Sequence, residues 1–166
     1  MGTSQSDDEF AAAVRAWLDE NLAGDFADLK GRGGPGSEHE FFAERLEWDR
    51  HLARAGWTCI GWPVEYGGSD APLLHWLIFE EEYYRSGAPG RVSQNGIFLL
   101  APTLFEHAHP DQLARILPRM ARADDILGQA WSEPDAGSDL ASLRSSATRT
   151  DGGWLLNGQK TWTTLG

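Results

Sequence analysis

The residue types best suited to chemistry gather in 128–143, GQAWSEPDAGSDLASL. This stretch carries hydroxyls at Ser132 and Ser138, small residues at Ala136 and Gly137, and a turn-forming Pro134-Asp135 pair. Gly137 would let a ligand approach the backbone closely, and successive amide N–H groups in such a loop can receive phosphate oxygens. The same composition also suits a plain turn between two elements, and residue types alone do not choose between these readings.

Other chemically suggestive residues point to structural roles. Glu80, Glu81 and Glu82 are consecutive. On a helix they point about 100° apart, so they cannot pair as an acid/base dyad. His107 and His109 lack the i, i+4 spacing or third ligand of a metal site, so no metal is expected. Cys59 lies in an apolar setting and reads as a small packed hydrophobe. No G-x-G-x-x-G follows a strand, so a Rossmann dinucleotide site is not supported.

The elements that must position these residues change character along the chain. Ser6-x-x-Glu9 has capping-box spacing, and Phe10, Val14, Trp17, Leu18 and Leu22 follow at helical intervals. Gly24 and then GRGGPG at 31–36 break the pattern and read as a mobile loop. The next helix is expected over 38–55, around Phe42, Leu46, Leu52 and Ala53, with Gly56 as a left-handed stop.

The stretch GWTCIGWPVEYGGSDAP reads as an ordered, partly buried loop, after which Ser69 or Asp70 could cap a helix beginning near Pro72. That helix carries Leu74, Trp76, Leu77, Ile78 and Phe79, apolar on several faces, so a central position is expected. A further helix is expected over 95–106 with Pro102 kinking or ending it. Another opens at Pro110, turns Leu113, Ile116, Leu117 and Met120 inward, and is limited by Pro118.

After about Asp125 strands are expected over 126–131, 144–150, 154–157 and 160–165, with Asp151-Gly152-Gly153 and Asn157-Gly158 as hairpin signals. The fold expected is α+β: an all-α domain over 1–125, then an antiparallel β-barrel or sandwich domain beginning at 126 and left incomplete by its open strand edges.

Composition bounds the partners. Forty-one per cent hydrophobic residues with eight Trp is too apolar for a disordered chain of 166 residues. A net charge of −11 argues against nucleic acid and anionic membranes as partners. No apolar run reaches the roughly 20 residues of a membrane-spanning helix. The single cysteine excludes an internal disulfide, and a cytoplasmic setting is expected.

Three motifs in order resemble those of the acyl-CoA dehydrogenase family. Residues 133–139, EPDAGSD, resemble its glutamate-proline-x-alanine-glycine-serine-aspartate signature. Residues 61–68, GWPVEYGG, resemble its tryptophan-proline-glycine-glycine loop, and 157–164 its asparagine-glycine-x-lysine-x-tryptophan-x-threonine hairpin.

The resemblance implies FAD as cofactor, bound by Gln129, Trp131, Ser132, Gly137, Ser138, Trp162 and Thr164. Ser132 would bond the flavin ring, Ser138 would lie near the pyrophosphate and the acyl-CoA substrate, Trp162 would pack on the isoalloxazine, and Thr164 would offer its hydroxyl near the reactive nitrogen. Gln129 and Trp131 depart from residues frequent in the family, Ser132 stands for a frequent Thr, and Leu165 for a frequent Asn or Ser. Glu133 is read as loop architecture.

The reaction implied is α,β-dehydrogenation of an acyl-CoA thioester to a trans-2-enoyl-CoA in lipid or related acyl-CoA catabolism. An electron-transfer flavoprotein would be the acceptor, and the enzyme a homodimer or homotetramer. The carboxylate base is expected from a C-terminal helical domain beyond these residues, so no catalytic residue is named and the 166 residues alone are expected to be inactive. A flavin oxidase or monooxygenase of the same fold, and a non-catalytic subunit, are the alternatives.

Overall fold

The structure is a computed structural model that describes residues 6–163. The chain divides into two compact units, Met1–Ile126 and Leu127–Gly166.

In the helical unit, Ser6 caps α1 (Asp7–Asn21). Its hydroxyl accepts from the Glu9 amide at 3.2 Å, and its own amide donates to Glu9 Oε2 at 3.0 Å, the capping box that the spacing predicts. Phe10, Val14 and Leu18 turn inward. They join Trp48 and Leu52 of α2 (Phe42–Arg54) and Phe79 and Tyr83 of α3 (Leu73–Arg85) in one apolar cluster. Each such side chain contributes about 1.5–3 kcal/mol when fully buried.

α2 begins later than its periodicity suggests and buries a different face. Arg45 is 2% exposed. Its guanidinium donates to the carbonyls of Glu38, Glu40 and Gly90, so the first two must turn outward instead of closing helical bonds. Phe41 consequently sits in the left-handed region with φ 49°. The buried stripe is Arg45, Trp48, Asp49 and Leu52, whereas Phe42 is exposed. Gly56, at φ 80°, ends the helix as predicted: its amide donates to Ala53 O at 3.0 Å and that of Trp57 to Leu52 O at 2.9 Å, a Schellman motif.

The glycine-rich loop after α1 is fastened rather than loose. A 3₁₀ turn, Gly24–Leu29, precedes it. The Gly31 amide donates to Gly87 O at 2.8 Å, and the Gly90 amide to Arg32 O at 2.9 Å. At the start of α3, Pro72 itself is the N-cap and no side chain caps the end, so neither Ser69 nor Asp70 has the expected role. α3 also lies less centrally than its composition suggests, since Leu73, Leu74 and Leu77 are exposed.

Both helical prolines are accommodated. Residues Gly96–Leu100 form a π turn that leads into α4 (Ala101–His107), so Pro102 sits in the first turn, where its missing N–H costs little. In α5 (Pro110–Ala121), Pro118 lies inside the helix, which runs three residues past it. His109 caps α5, its Nδ1 accepting from the Asp111 amide at 3.4 Å. Among the described residues no helix is long and apolar enough to cross a membrane.

The second unit has two described strands rather than three or four. β1 (Ser146–Thr150) pairs antiparallel with β2 (Gly153–Asn157), in register from Ser146↔Asn157 to Thr150↔Gly153. Gly152, at φ 91°, supplies the turn. The architecture is thus a helical N-terminal part followed by a small antiparallel sheet, the α+β class expected.

Residues 126–131 hold a single β-bridge residue, Gln129, but no strand; 160–163 form no strand, and the rest of the strand expected over 160–165 lies outside the described residues. Asn157-Gly158 makes no hairpin turn, because Asn157 ends β2 and Gly158 presses on Ser145. β1 starts at Ser146 because the amides before it are engaged elsewhere, as described next.

Candidate functional site

In the second unit, the loop 131–138 and the segment 158–163 meet through a buried carboxylate. Glu133 is the first residue of a tight Glu133-Pro134-Asp135-Ala136 turn, which is closed at both ends. The Glu133 amide donates to Ala136 O at 2.7 Å, and the Ala136 amide to Glu133 O at 3.1 Å. The turn aims the Glu133 side chain inward, where it is 7% exposed. Glu133 Oε2 accepts from the Arg144 amide at 2.7 Å, and Oε1 from the Ser145 amide and Lys160 Nζ, each at 3.0 Å. This is why β1 cannot begin at residue 144.

The surroundings hold the Glu133 carboxyl down at about 2. The Ser145 side chain contributes most, followed by the Arg144 amide and then Lys160. Ser145 Oγ itself has no partner that meets hydrogen-bond geometry, so the two amides and Lys160 are the bonded donors.

Lys160 also donates to Trp131 O at 2.9 Å, and the next amide, Thr161 N, to Ser132 O at 2.9 Å. Gly158 is needed for the close approach: a Cβ there would lie 2.0 Å from Ser145 Oγ. A cleft of about 230 Å³ opens beside Glu133, Asp135, Arg144, Asn157 and Gly158.

These bonds place the candidate residues individually. Ser132 and Gln129 are half-buried, and Ser132 is brought beside Thr161. Trp131 is exposed, and Trp162 is 91% exposed with a left-handed φ of 54°. Neither indole makes a ring contact with another aromatic among the described residues. Gly137 and Ser138 are exposed, and a Cβ at Gly137 would meet open space. No hydrogen bond joins either residue to 158–163 among the described residues. Thr164 and Leu165 lie outside the described residues.

Residue types alone did not reveal Lys160. The signal available was a lysine three residues after the end of a strand, with nothing in sequence to name its partner 27 positions away.

The arrangement suits a planar redox cofactor. Trp162 offers a whole aromatic face that no described side chain covers, and Ser132 carries a hydroxyl on a loop fixed from behind.

The helical unit has its own apolar pocket of about 290 Å³, lined by Leu73, Trp76, Leu77, Ile97, Phe98 and Pro102, with Glu80 as the polar group. Glu80 is neutralised: Oε2 pairs with the fully buried Arg91, and Oε1 accepts from Trp76 Nε1 at 3.1 Å. Arg91 in turn lies over the rings of Tyr83 at 4.9 Å and Phe98 at 5.2 Å. The remaining carboxylates of that run, Glu81 and Glu82, pair with Arg85, which leaves all three in structural roles. Cys59 is buried, which pushes its thiol up to about 12, so it is no nucleophile. Among the described residues no group of His, Cys, Asp and Glu could hold a metal ion.

Residues 4–124 match the family model described as the acyl-CoA dehydrogenase N-terminal domain, and residues 128–166 the one for its middle domain. The acyl-CoA dehydrogenase IpdE1 of Mycobacterium tuberculosis (strain ATCC 25618 / H37Rv) is 50% identical over 97% of this chain and 42% of its own length. Among solved structures, the ChsE4-ChsE5 complex from Mycobacterium tuberculosis has a TM-score of 0.73 at 32% identity, over 98% of this chain and 40% of that one. An acyl-CoA dehydrogenase from Bacillus anthracis, complexed with FAD, has a TM-score of 0.70 at 19% identity, over 96% of this chain and 27% of that one. That last likeness is one of fold alone. The chain thus spans about two fifths of the length of IpdE1, the curated relative it matches in Mycobacterium tuberculosis and in Mycolicibacterium smegmatis.

Proposed function

The chain belongs to the acyl-CoA dehydrogenase family, an oxidoreductase family, and from that premise we propose that the whole protein is an FAD-dependent dehydrogenase of acyl-CoA thioesters. The observation that carries this reading is the pairing of loop 131–138 with segment 158–163 through Glu133 and Lys160, which leaves Trp131 and Trp162 exposed beside the half-buried Ser132.

On this reading FAD supplies the acceptor for a hydride from the β-carbon, giving a trans-2-enoyl-CoA. This chain's residues bind and orient it. Trp162 provides the stacking face, Ser132 bonds the ring edge, and Gln129, Trp131, Gly137 and Ser138 line the rest of the cofactor's path, with Ser138 also reaching the substrate. Thr164 is assigned the hydroxyl nearest the reactive nitrogen. Fixed partners of this kind lower the barrier by holding the reacting groups aligned.

The apolar pocket of the helical unit is the proposed seat of the acyl group, since Glu80, its polar wall, is already paired. No described residue is assigned as the base that removes the α-proton. An electron-transfer flavoprotein is the proposed acceptor. An oligomer is the proposed working form, in keeping with the two-chain complex among the similar structures. The cytoplasm is its proposed setting.

The test is the full-length parent protein, purified and scanned for bound flavin, then mixed anaerobically with a panel of acyl-CoAs. Bleaching of the flavin spectrum together with an enoyl-CoA product supports the reading. Bleaching that is reversed by oxygen at catalytic rate makes the protein an oxidase or monooxygenase, and absence of flavin makes it a non-catalytic subunit. Either result overturns the dehydrogenase reading.

A further inference from the structure

We propose that Glu133 and Lys160 form a positioning pair that sets both cofactor-facing segments from one point. The inference rests on the flavin reading for its purpose, although its geometry stands without it.

Three segments converge on this pair. Glu133 takes the Arg144 and Ser145 amides, which anchors the entry to β1. Lys160 links the Glu133 carboxylate to the Trp131 carbonyl, with Nζ 3.0 Å from the first and 2.9 Å from the second. The loop and the segment bearing Trp162 therefore share one ammonium group. Thr161 N to Ser132 O, at 2.9 Å, is the adjoining backbone bond, and it falls between the two candidate flavin contacts, Ser132 and Trp162.

An exposed ion pair would do little of this, because solvent competes for both partners. Here the Glu133 and Lys160 side chains are 7% and 28% exposed. Removing one partner leaves the charge of the other sheltered without its counter-ion. The nearby Arg144–Asp135 pair, at 79% and 71% exposure, is the contrast: it lies in water and ties the turn only to its own neighbour. Among the described residues, Lys160 is the only side chain that bonds both the Trp131 carbonyl and the Glu133 carboxylate. Its length suits the task, since a compact ammonium on a flexible stem can serve two acceptors.

The expected consequence is a displaced Trp162 segment when the link is cut, without loss of the fold. In the full-length parent protein, Lys160→Met should weaken FAD affinity about tenfold, the ratio expected when a charge-assisted bond is lost. In the flavin-free protein the same variant should be cleaved faster by protease within 131–139, read by mass spectrometry, while cleavage of the helical unit stays at the wild-type rate. Lys160→Arg should restore both readouts, because it keeps the charge and the reach. Glu133→Gln, a second and near-isosteric variant, should reproduce the Lys160→Met pattern.

Unchanged loop cleavage in both Lys160→Met and Glu133→Gln would overturn the proposal, whatever the flavin does. If the wild-type parent binds no flavin but the cleavage pattern holds, the positioning pair stands and the flavin reading falls. If flavin binds and cleavage is indifferent to both substitutions, the flavin reading stands and the pair falls.

Discussion

Trp48 Nε1 donates to the Tyr83 hydroxyl at 2.9 Å, and that hydroxyl donates to the Pro89 carbonyl at 2.7 Å. Both side chains are wholly buried, so the indole N–H and the carbonyl have no water to turn to. The hydroxyl joins α2, α3 and the turn after α3 in two bonds. Burial also drives the phenol far above its ordinary range, which keeps it a donor.

Tyr83→Phe should therefore cost more than a typical hydrogen bond. It strands one buried donor and one buried acceptor, a loss of about 1–3 kcal/mol. Urea unfolding should show a lower midpoint with an unchanged slope. A midpoint equal to wild type would mean the two groups find other partners.

Gly56 offers a test of backbone strain free of packing. Its φ is 80°, and a Cβ there would meet nothing within 4 Å. Gly56→Ala should still destabilise the protein by about 1–2 kcal/mol, the cost of a left-handed conformation for an L residue. A neutral result in thermal unfolding would show that the end of α2 relaxes to another cap.

How far the sequence reaches can be judged from such ends. Ser6 with Glu9 and the 3.6-residue spacing marked α1, and Gly56 marked the end of α2, because each signal is local. The start of α2 escaped because Arg45 recruits carbonyls at Glu38 and Gly90, a tertiary demand with no periodic trace. Pro118 looked like a stop, yet it falls in the last turn of α5, where one missing bond is tolerated. In the second unit both loops were legible by their turn residues and motifs. What binds them, the Glu133–Lys160 pair, joins positions 27 apart and leaves no pattern that a window of residues could reveal.

Glu133 makes the order of its loop depend on pH in a stated direction. Its carboxyl titrates at about 2 in the folded chain against 4.5 for the free group. The contribution of the ionised form is then complete above about pH 4.5 and is lost as pH falls toward 2. A carbon-13 NMR titration of the Glu133 carboxyl should show a midpoint near 2, with amide shifts of Arg144 and Ser145 following it. A midpoint near 4.5 would mean that the amides and Lys160 do not hold the charge.

His51 acts at higher pH. It is half-buried, stacked on Trp17 at 5.5 Å, with Nε2 at 2.7 Å from Asn21 Oδ1. Desolvation first, and then the charge of Arg54, lower its pKa from 6.5, while Glu47 opposes them. The neutral ring is the one the fold prefers, so its contribution is full above pH 6.5 and declines as pH falls below that value. His51→Gln should flatten the dependence of unfolding free energy on pH between about 5 and 7. An unaltered slope would assign that dependence to other groups.

Trp162 separates a role in binding from a role in folding. At 91% exposure it contributes almost no buried area, so Trp162→Ala should leave the melting temperature of the flavin-free parent protein unchanged. Its left-handed φ of 54° is a conformation that a bulky residue adopts at a cost, and this points to a use for the side chain where it stands. If that use is to stack on a flavin, the alanine variant loses about 0.5–1.5 kcal/mol of ring contact, or roughly two- to tenfold in FAD affinity. Trp162→Phe should recover much of it, because a smaller ring still offers a face. The measurement is flavin fluorescence quenching on titration of the flavin-free protein, with calorimetric melting as the control. Equal FAD affinities for wild type and Trp162→Ala at equal melting temperatures would remove Trp162 from the cofactor site.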